Sequence, residues 1–400
     1  MNNKIENTKK EINIRSASFT LIEVIIIILI TSLVVGVATS IIVYRNYNDI
    51  KATANGDSVS KISELEEAYN NILNGYVEKI DENELVNAAI KGMYNYIGDP
   101  YTTYLDEETT SNLMDRLNGE YYGLGVEFTK TEEGFVVVTV FDGSPAKDAD
   151  IKVGDFLVKV NGEDLSEKTA QEVANMIRNN PSRKIKISVT RGTITLTKDV
   201  TLSTITIPAV SKEKYDNIGY IKIETFSNTT YSQFKDALES LEKEGIDGLV
   251  IDVRNNGGGY LTAAVDIAEL FLEKGKNIYG LKNQTETKFY EDSTRENRKL
   301  KVAVLINSSS ASASEILAAA LKESYGATLV GTTSYGKGTV QETNDLKSGG
   351  MVKYTTAYWL TPNGNSINQK GLEPDIKIEA LNESNTEKDV QLNSALEALR

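Results

Sequence analysis

The sequence has 400 residues, which is enough for two or three domains, and it contains neither cysteine nor histidine. These absences exclude disulfides, cysteine or histidine metal sites, thiolate nucleophiles and every catalytic triad with an imidazole base. The net charge of −14 argues against nucleic acid as a partner, because binding of phosphates requires a basic surface. Acid–base chemistry must therefore use a carboxylate, a tyrosine, a lysine or a backbone group.

A long apolar stretch lies close to the N-terminus. Leu21 to Val43 carries Glu23 as its single charged residue. At ~1.5 Å per residue, a helix of this length spans the ~30 Å hydrocarbon core of a bilayer. Basic residues are denser before the stretch than after it, which predicts a cytoplasmic tail (residues 1–18), a transmembrane helix (residues 19–44) and a catalytic part outside the cytoplasm. A buried core helix is the alternative, although such helices usually have a polar face.

The start of the apolar stretch carries a second pattern. Phe19-Thr20-Leu21-Ile22-Glu23 resembles the processing and assembly motif of type IV prepilins, in which a glycine normally stands where this chain has Ser18. An apolar sequence also matches such a motif by composition alone. The pattern leaves open a pilin-like element of an export or assembly machine, whose mature chain would begin at Phe19.

Hydrophobic periodicity divides the remaining chain. Residues 45–118 are expected to be helical, with a break at Gly98-Asp99-Pro100, and residues 119–207 change to short β-branched strands around one helix. Residues 208–380 alternate apolar strands with helices, and a further helix is expected within residues 381–400. The predicted elements of the third region include Ile218–Ile223, Tyr231–Lys243, Gly248–Val253, Leu261–Leu272, Val302–Ile306 and Ala313–Tyr325. The pattern predicts a multidomain α/β and α+β protein with a layered α/β core.

The strand-rich region begins with a glycine-punctuated loop, Tyr122-Gly123-Leu124-Gly125-Val126. Consecutive backbone N–H groups in such a loop bind a carboxylate, and the strand edge that follows accepts an extended peptide. We therefore regard Tyr122, Gly123, Leu124 and Gly125 as candidate peptide-binding residues, although a hairpin turn has the same composition.

Three segments downstream of this loop resemble a PDZ domain in the order found in bacterial proteases: Gly143-Ser144-Pro145-Ala146, Ile151-Lys152-Val153-Gly154-Asp155 and Val160-Asn161-Gly162. Asp150 stands where that family usually has a glycine, and we expect it to adopt the left-handed conformation that ends a short helix. The resemblance implies that residues 119–207 form a PDZ domain whose ligand is an apolar C-terminal tail.

A serine-rich turn, residues 307–312, follows the predicted strand Val302–Ile306 and opens a helix. At this position the N-terminus of the helix directs free N–H groups and a positive dipole towards a developing oxyanion. However, Ser312-x-x-Glu315 is also a capping box, which usually serves only to begin a helix. The turn alone therefore favours a structural cap over a nucleophile.

Lys337 lies 25 positions after Ser312, between Gly336 and Gly338, and this sequence predicts a tight turn. Burial lowers the pKa of a lysine, and Ser–Lys pairs are a known nucleophile–base arrangement. Residues 331–337 also match the first seven positions of a P-loop. Gly338, however, replaces the serine or threonine that holds magnesium, and the next residues continue as a strand, which argues against nucleotide binding.

Together these segments resemble the C-terminal processing peptidases, also called tail-specific proteases, over residues 60–380. Other motifs of that family are matched by Gly98-Asp99-Pro100-Tyr101-Thr102-Thr103-Tyr104-Leu105, by Asp252-x-Arg254-Asn255-Asn256-Gly257-Gly258-Gly259, and by Thr361-Pro362-x-Gly364 with Gly371-Leu372-x-Pro374-Asp375-Ile376. The resemblance implies a serine protease core over residues 208–380.

By position in these motifs, Ser312 would be the nucleophile, Lys337 the general base, and Gln341 the residue that orients the lysine. The backbone N–H groups of Gly258 and Ala313 would bind the oxyanion. The resemblance thus favours Ser312 over the neighbouring serines at positions 310 and 314.

Two residues depart from the family pattern. Gly257 stands where the family commonly has proline, which would loosen the turn that aims an oxyanion donor. Ser309 stands where the family commonly has glycine, which would strain the turn before the nucleophile.

The hypothesis is a membrane-anchored serine endopeptidase that selects protein substrates by their apolar C-terminal tails, with no cofactor, no metal and no nucleic acid partner. Its PDZ domain would bias the core between resting and active arrangements. The alternative is a non-catalytic PDZ scaffold that binds protein C-termini. Predicted helices near residues 57–93 and 387–400 favour a homo-oligomer, because similar enzymes often assemble through terminal elements.

Overall fold

The structure is a computed structural model that describes residues 56–295, 297–379 and 389–400. The predicted transmembrane helix and the prepilin-like motif lie outside these residues. Among the described helices, none combines the length and the apolar composition that a membrane span requires. The chain divides between Val86 and Asn87 into two units.

The described residues from 56 to 118 form three helices and one short strand. They are α1 (Gly56–Gly75), α2 (Glu82–Ile97), β1 (Thr103–Leu105) and α3 (Glu107–Asn118). The Asp106 side chain caps α3 by accepting the Thr109 N–H, and Gly119 ends that helix in the left-handed conformation. The expectation of helix across residues 103–105 was wrong, because these residues pair with a distant strand of the core.

The strand-rich region folds into one five-stranded sheet with order β3-β4-β5-β7-β8, to which β6 is added at β5, and a separate two-stranded β2–β9 ladder. Its elements are β2 (Glu120–Gly123), β3 (Val126–Thr131), β4 (Gly134–Val140), α4 (Pro145–Asp148), β5 (Phe156–Val160), β6 (Glu163–Asp164), α5 (Ala170–Arg178), β7 (Lys184–Arg191), β8 (Ile194–Thr201) and β9 (Ser203–Thr206). Asp150 follows α4 with φ 59°, so the left-handed conformation expected there is confirmed.

The core of the second unit is a largely parallel sheet with order β10-β11-β12-β15-β16-β19, in which only β10 runs antiparallel to its neighbour. Its elements are β10 (Val210–Tyr215), β11 (Ile218–Ile223), α6 (Thr230–Lys243), β12 (Gly248–Asp252), α7 (Leu261–Glu269), β15 (Lys301–Ile306), α8 (Ala313–Ala320), β16 (Thr328–Gly331), β19 (Ile376–Lys377) and α9 (Val390–Leu399). The predicted strand–helix alternation is present. The helix predicted over 313–325, however, ends in a π-helical turn at Leu321–Tyr325.

Side chains alternate across this sheet, as the two-residue period of a strand requires. On β12, Leu249 and Ile251 pack with α6, α7 and α8 on one face, whereas Val250 faces α9 on the other. Both faces are covered by helices, which explains why the strands are continuously apolar. The layered α/β core that the sequence predicts is therefore present, and it has three layers.

A second sheet, with order β1-β18-β13-β14 and with β17 paired to β18, lies in the same unit. Its remaining strands are β13 (Asn277–Lys282), β14 (Thr287–Glu291), β17 (Thr339–Asp345) and β18 (Met351–Leu360). Strand β17 begins two residues after Lys337, which confirms the argument against a P-loop, because a P-loop opens a helix.

The apolar face of the C-terminal helix α9 packs against the core of the same chain. Ala395, Leu396 and Leu399 are at most 7% exposed and pack against the parallel sheet. This face is therefore not free for assembly with a second copy. Helices α1 and α2, in contrast, carry exposed apolar side chains such as Ile62 (65%) and Met93 (53%).

We expect Leu396→Ala to lower the free energy of unfolding of the core by about 2–5 kcal/mol, because the change leaves a cavity beneath α9. Trp359, the single tryptophan, is 1% exposed in β18 and reports unfolding of the core by fluorescence. Leu65→Ala, at a leucine that is 47% exposed, is the matched control and should change stability by less than about 0.5 kcal/mol. Equal denaturation midpoints for the two variants would contradict this packing.

Candidate active site

Three loops meet at the carboxyl edge of the parallel sheet. They follow the neighbouring strands β12, β15 and β16, and they contain residues 253–260, 307–312 and 332–338. Ligands of open α/β sheets bind at this edge, because the loops there converge. The topology thus brings the glycine run, the serine turn and the lysine turn together, although 80 residues separate Gly257 from Lys337.

Ser312 has a strained backbone. Its φ is 56° and its ψ is −117°, immediately before α8 begins at Ala313. A non-glycine residue in this region costs of order 1–3 kcal/mol and persists only where the surroundings hold it, commonly at an active site. Such a strained strand-to-helix turn is the geometry that exposes the nucleophile of many hydrolases. The strain expected at Ser309 is not found, because Ser309 does not have a positive φ.

The neighbouring serines have structural roles. Ser310 and Ser314 are fully buried, and their hydroxyls donate to the carbonyls of Val253 and Asn256, each at 2.8 Å. These two hydrogen bonds tie the serine turn and the first turn of α8 to the glycine loop, residues 253–260. Ser312 is only half-buried, which makes it the accessible serine of the three.

Glu315 connects the serine turn to the lysine turn. Its carboxylate is fully buried and accepts the Ser312 N–H (2.9 Å), the Gly336 N–H (2.7 Å), the Lys337 N–H (3.0 Å) and the Ser334 hydroxyl (2.6 Å). Burial raises the pKa of Glu315, although these four hydrogen bonds favour the ionised form. The capping interaction predicted from Ser-x-x-Glu is present. The same Glu315 carboxylate also binds the turn that contains Lys337.

The glycines on either side of Lys337 permit close packing of its turn. A Cβ at Gly336 would lie 2.8 Å from the Gly371 nitrogen, and a Cβ at Gly338 would lie 2.6 Å from the Cβ of Asn368. The carbonyl of Lys337 accepts the indole N–H of Trp359 at 2.8 Å. Lys337 is therefore held on a rigid turn, as its flanking glycines predict.

The side chain of Lys337 is partly withdrawn from water. Burial and the positive charge of Lys353 lower its pKa, whereas Glu315 and Asp99 act in the opposite direction. A lowered pKa increases the fraction of neutral amine near neutral pH, which a general base requires. The amine lies over the ring of Tyr101, with Nζ 4.8 Å from the ring centroid.

Gln341 lies on β17 near Lys337 but directs its amide elsewhere. Its Nε2 donates to the hydroxyls of Thr339 (2.9 Å) and Thr355 (3.2 Å). No hydrogen bond joins it to Lys337 among the described residues, so the expected support of the lysine is not direct in this arrangement.

The two expected oxyanion donors differ in their surroundings. A Cβ at Gly258 would lie 2.9 Å from the Cβ of Ser312, so only glycine allows the loop this close to the serine. The Gly258 N–H donates to the side chain of buried Asn256 at 2.9 Å. The Ala313 N–H, at the start of α8, makes no hydrogen bond within the described part of the chain. An oxyanion would therefore find the Ala313 donor free and the Gly258 donor occupied.

Two acidic residues hold the start of the glycine loop. Arg254 binds buried Asp252 at 2.6 Å and Asp389, the N-cap of α9, at 2.7 Å. Asp252 also accepts the Tyr220 hydroxyl at 2.8 Å. The Asp-x-Arg motif thus fixes the loop to the C-terminal helix.

The predicted peptide-binding loop lies at a groove of about 320 Å³. Gly123, Leu124 and Gly125 line it, whereas Tyr122 does not and donates its hydroxyl to the Leu202 carbonyl at 2.9 Å. A Cβ at Gly125 would lie 2.2 Å from the Cβ of Ser144, which explains the glycine there. Apolar side chains of β3 and α5 complete the groove, including Val126, Phe128 and Ile177.

Sequence reasoning missed the charged rim of this groove. Arg178 at the end of α5 forms an ion pair with Asp115 of α3 at 2.7 Å, and its guanidinium lies over the ring of Tyr121. It also missed Tyr101 as a neighbour of Lys337. The motif from Gly98 to Leu105 marked that segment, but nothing in the sequence indicated its partner.

Comparison with known proteins agrees with this architecture. Residues 217–378 match the model of peptidase family S41, residues 123–202 match a PDZ domain, and residues 38–109 match the N-terminal domain of the activating protease CtpB. The carboxy-terminal processing protease CtpA of Bacillus subtilis is 37% identical over 358 residues, which are 88% of this chain and 76% of that protein. A probable CtpA-like serine protease of Staphylococcus aureus is 32% identical over 376 residues, or 93% and 75%.

Among solved structures, the photosystem II D1 C-terminal processing protease aligns with a TM-score of 0.47 at 28% identity, over 79% of this chain and 86% of that one. The fold and the relatives define a serine peptidase with a PDZ domain. The chain belongs to the C-terminal processing peptidases of family S41.

Proposed function

We propose that this peptidase cleaves protein substrates with a Ser312–Lys337 pair and selects them by apolar C-terminal tails. The observation that carries the proposal is the strained, accessible Ser312, joined through buried Glu315 to the turn of Lys337. No histidine is present in the chain, so a partly buried lysine is the base best suited to activate the serine.

In the proposed reaction, the Ser312 hydroxyl attacks the scissile carbonyl and its proton passes to the neutral Lys337 amine. The N–H groups of Gly258 and Ala313 bind the oxyanion, and Gln341 supports the lysine. Lys337 then protonates the leaving amine as the C–N bond breaks. Water, deprotonated by the same amine, hydrolyses the acyl-enzyme and restores Ser312.

The described arrangement fits a resting state. The Lys337 amine lies on Tyr101, and the Gly258 N–H is occupied by Asn256. In the proposed active state, the Lys337 amine leaves the Tyr101 ring and the Gly258 N–H leaves the Asn256 side chain. We therefore propose that the Gly258 donor and the lysine are released together on activation.

The PDZ domain is proposed to control this release. The apolar lining of its groove suits an apolar tail, and the loop from Gly123 to Gly125 suits a terminal carboxylate. A bound carboxylate would compete with Asp115 for Arg178, which now links α5 to α3. Helix α3 follows β1 directly. A movement of α3 would therefore displace β1 and the segment before it, which contacts Lys337.

We expect Ser312→Ala and Lys337→Ala each to reduce cleavage of an unstructured, apolar-tailed protein by a factor on the order of 10³ or more, because each removes a reacting group. Lys337→Arg should be equally inactive, since arginine does not lose its proton. Ser309→Ala, in the same turn but exposed, is the matched control and should cleave normally.

Cleavage by the Ser312→Ala or Lys337→Ala variant at the wild-type rate would refute this mechanism. A wild-type chain that binds tail peptides in the PDZ groove but cleaves nothing would instead favour the scaffold. The assay should vary the last residues of the substrate, so that preference for an apolar tail is measured directly.

We also propose that residues 19–44 anchor the peptidase in the membrane with its catalytic part outside the cytoplasm. The full chain should remain with membranes after an alkaline carbonate wash, and a variant lacking residues 1–44 should be released. N-terminal sequencing should show that the mature protein does not begin at Phe19. Release of the full chain by carbonate would contradict anchoring, and a Phe19 start would favour prepilin-like processing.

Self-association through the N-terminal helices is a further proposal. It is supported by the exposed apolar side chains of α1 and α2, whereas α9 is committed to the core.

A further inference from the structure

The side chain of Lys337 rests on a segment more than two hundred positions earlier in the chain. Its Nζ lies 4.8 Å from the centroid of the Tyr101 ring, within the range of a cation–π contact. Such a contact favours the ammonium over the neutral amine, because the ring face attracts a positive charge. Tyr101 is thus a neighbour of the proposed base that the catalytic scheme does not use.

Asp99 connects the same segment to Gln341. Its carboxylate accepts the Tyr101 N–H at 3.0 Å, the Thr102 hydroxyl at 2.7 Å and the Thr355 hydroxyl at 2.5 Å. The Thr355 hydroxyl in turn accepts from the Gln341 amide at 3.2 Å. One carboxylate therefore orders both the tyrosine that contacts Lys337 and the hydroxyl that holds Gln341.

The segment is held firmly in place. Strand β1 follows it directly and pairs antiparallel with β18, with Thr103 opposite Lys353. The Thr102 hydroxyl accepts the Thr355 N–H at 3.1 Å, and Thr102 is 7% exposed. Asp99 and Tyr101 therefore have fixed positions relative to β17 and β18, which lie beside the lysine turn.

The charged and titratable groups around Lys337 come from four parts of the chain. Lys353 on β18 repels the ammonium, whereas Glu315 on α8 and Asp99 before β1 attract it. The hydrogen bond with Tyr335 and burial raise the pKa of Tyr101 to about 12, so its phenol stays neutral near neutral pH. The exposed Tyr335 hydroxyl lies 3.5 Å from that of Tyr101. Of the two nearby carboxylates, Asp99 is the one that does not also bind the serine turn.

We propose that Asp99 and Tyr101 are positioning residues that hold the Lys337 amine in its protonated, resting place and so set the pH at which the peptidase becomes active. The ring face of Tyr101 and the carboxylate of Asp99 both attract the ammonium. Thr355 hydrogen-bonds to both Asp99 and Gln341, so the position of Gln341 depends on that of Asp99. The inference rests on the proposed role of Lys337 as the base.

The first test is the pH profile of kcat/KM, whose rising limb reports the pKa of the base in the free enzyme. Asp99→Asn and Tyr101→Leu remove one attraction for the ammonium each, so their limbs should move to lower pH by about 0.5–1 unit. Tyr101→Phe keeps the ring, so its rising limb should stay at the wild-type pH, although this variant loses the hydroxyl that contacts Tyr335. Tyr96→Leu, at a tyrosine that is 93% exposed, is the surface control.

A second measurement does not depend on activity. In a Ser312→Ala background, competitive labelling with acetic anhydride followed by mass spectrometry gives the pH midpoint at which the Lys337 amine reacts. The midpoint should fall with Asp99→Asn and with Tyr101→Leu and should stay at the background value with Tyr101→Phe. Asp99→Asn is isosteric and keeps an acceptor for Thr355, so it tests the inference even where loss of the ring disturbs folding.

The outcomes separate the inference from the function on which it rests. Full cleavage by Lys337→Ala would refute the role of Lys337 as the base. Loss of cleavage in Lys337→Ala, together with unchanged labelling midpoints in both Asp99→Asn and Tyr101→Leu, would overturn the positioning role alone. A midpoint that fell equally in Tyr101→Phe would also overturn it, because the ring would then have no effect.

Discussion

The buried carboxylate of Glu315 is the interaction on which the site depends. Three of its four hydrogen bonds come from backbone N–H groups, one in the serine turn and two in the lysine turn. Burial of a carboxylate charge costs free energy unless such donors satisfy it. The two turns are therefore held together when Glu315 is ionised. The strained Ser312 backbone is maintained by the same contacts. The turn of Ser312 is thus joined to the turn of Lys337 through a third residue.

Much of the fold follows from local patterns in the sequence. Strand β11 has the predicted bounds, and the strand–helix alternation of the core is present because both faces of its sheet are covered by helices. The left-handed Asp150 was also foreseen from its position after a short helix. Strand β1 was missed because it pairs with β18, which lies far later in the chain. The hairpin of β13 and β14 was also missed, although these two strands are neighbours in the sequence.

Family motifs in the sequence indicate candidate residues for the site, but they do not indicate the contacts of these residues. Family motifs single out Ser312 and Lys337, and the burial of Ser310 and Ser314 explains in physical terms why they differ from Ser312. The family motifs do not reveal that the Gly258 N–H donates to Asn256, or that Lys337 lies on Tyr101. The first is a local hydrogen bond from a backbone N–H to a side chain two positions earlier, and the second is a tertiary contact between two side chains.

Hydrogen exchange at two amides tests the central role of Glu315 most directly. We expect Glu315→Ala to speed exchange of the Gly336 and Lys337 amides at least about tenfold, because both lose their buried acceptor, while amides of β15 keep their protection. Unchanged protection of Gly336 and Lys337 in a variant whose β15 remains protected would show that Glu315 does not hold the two turns together.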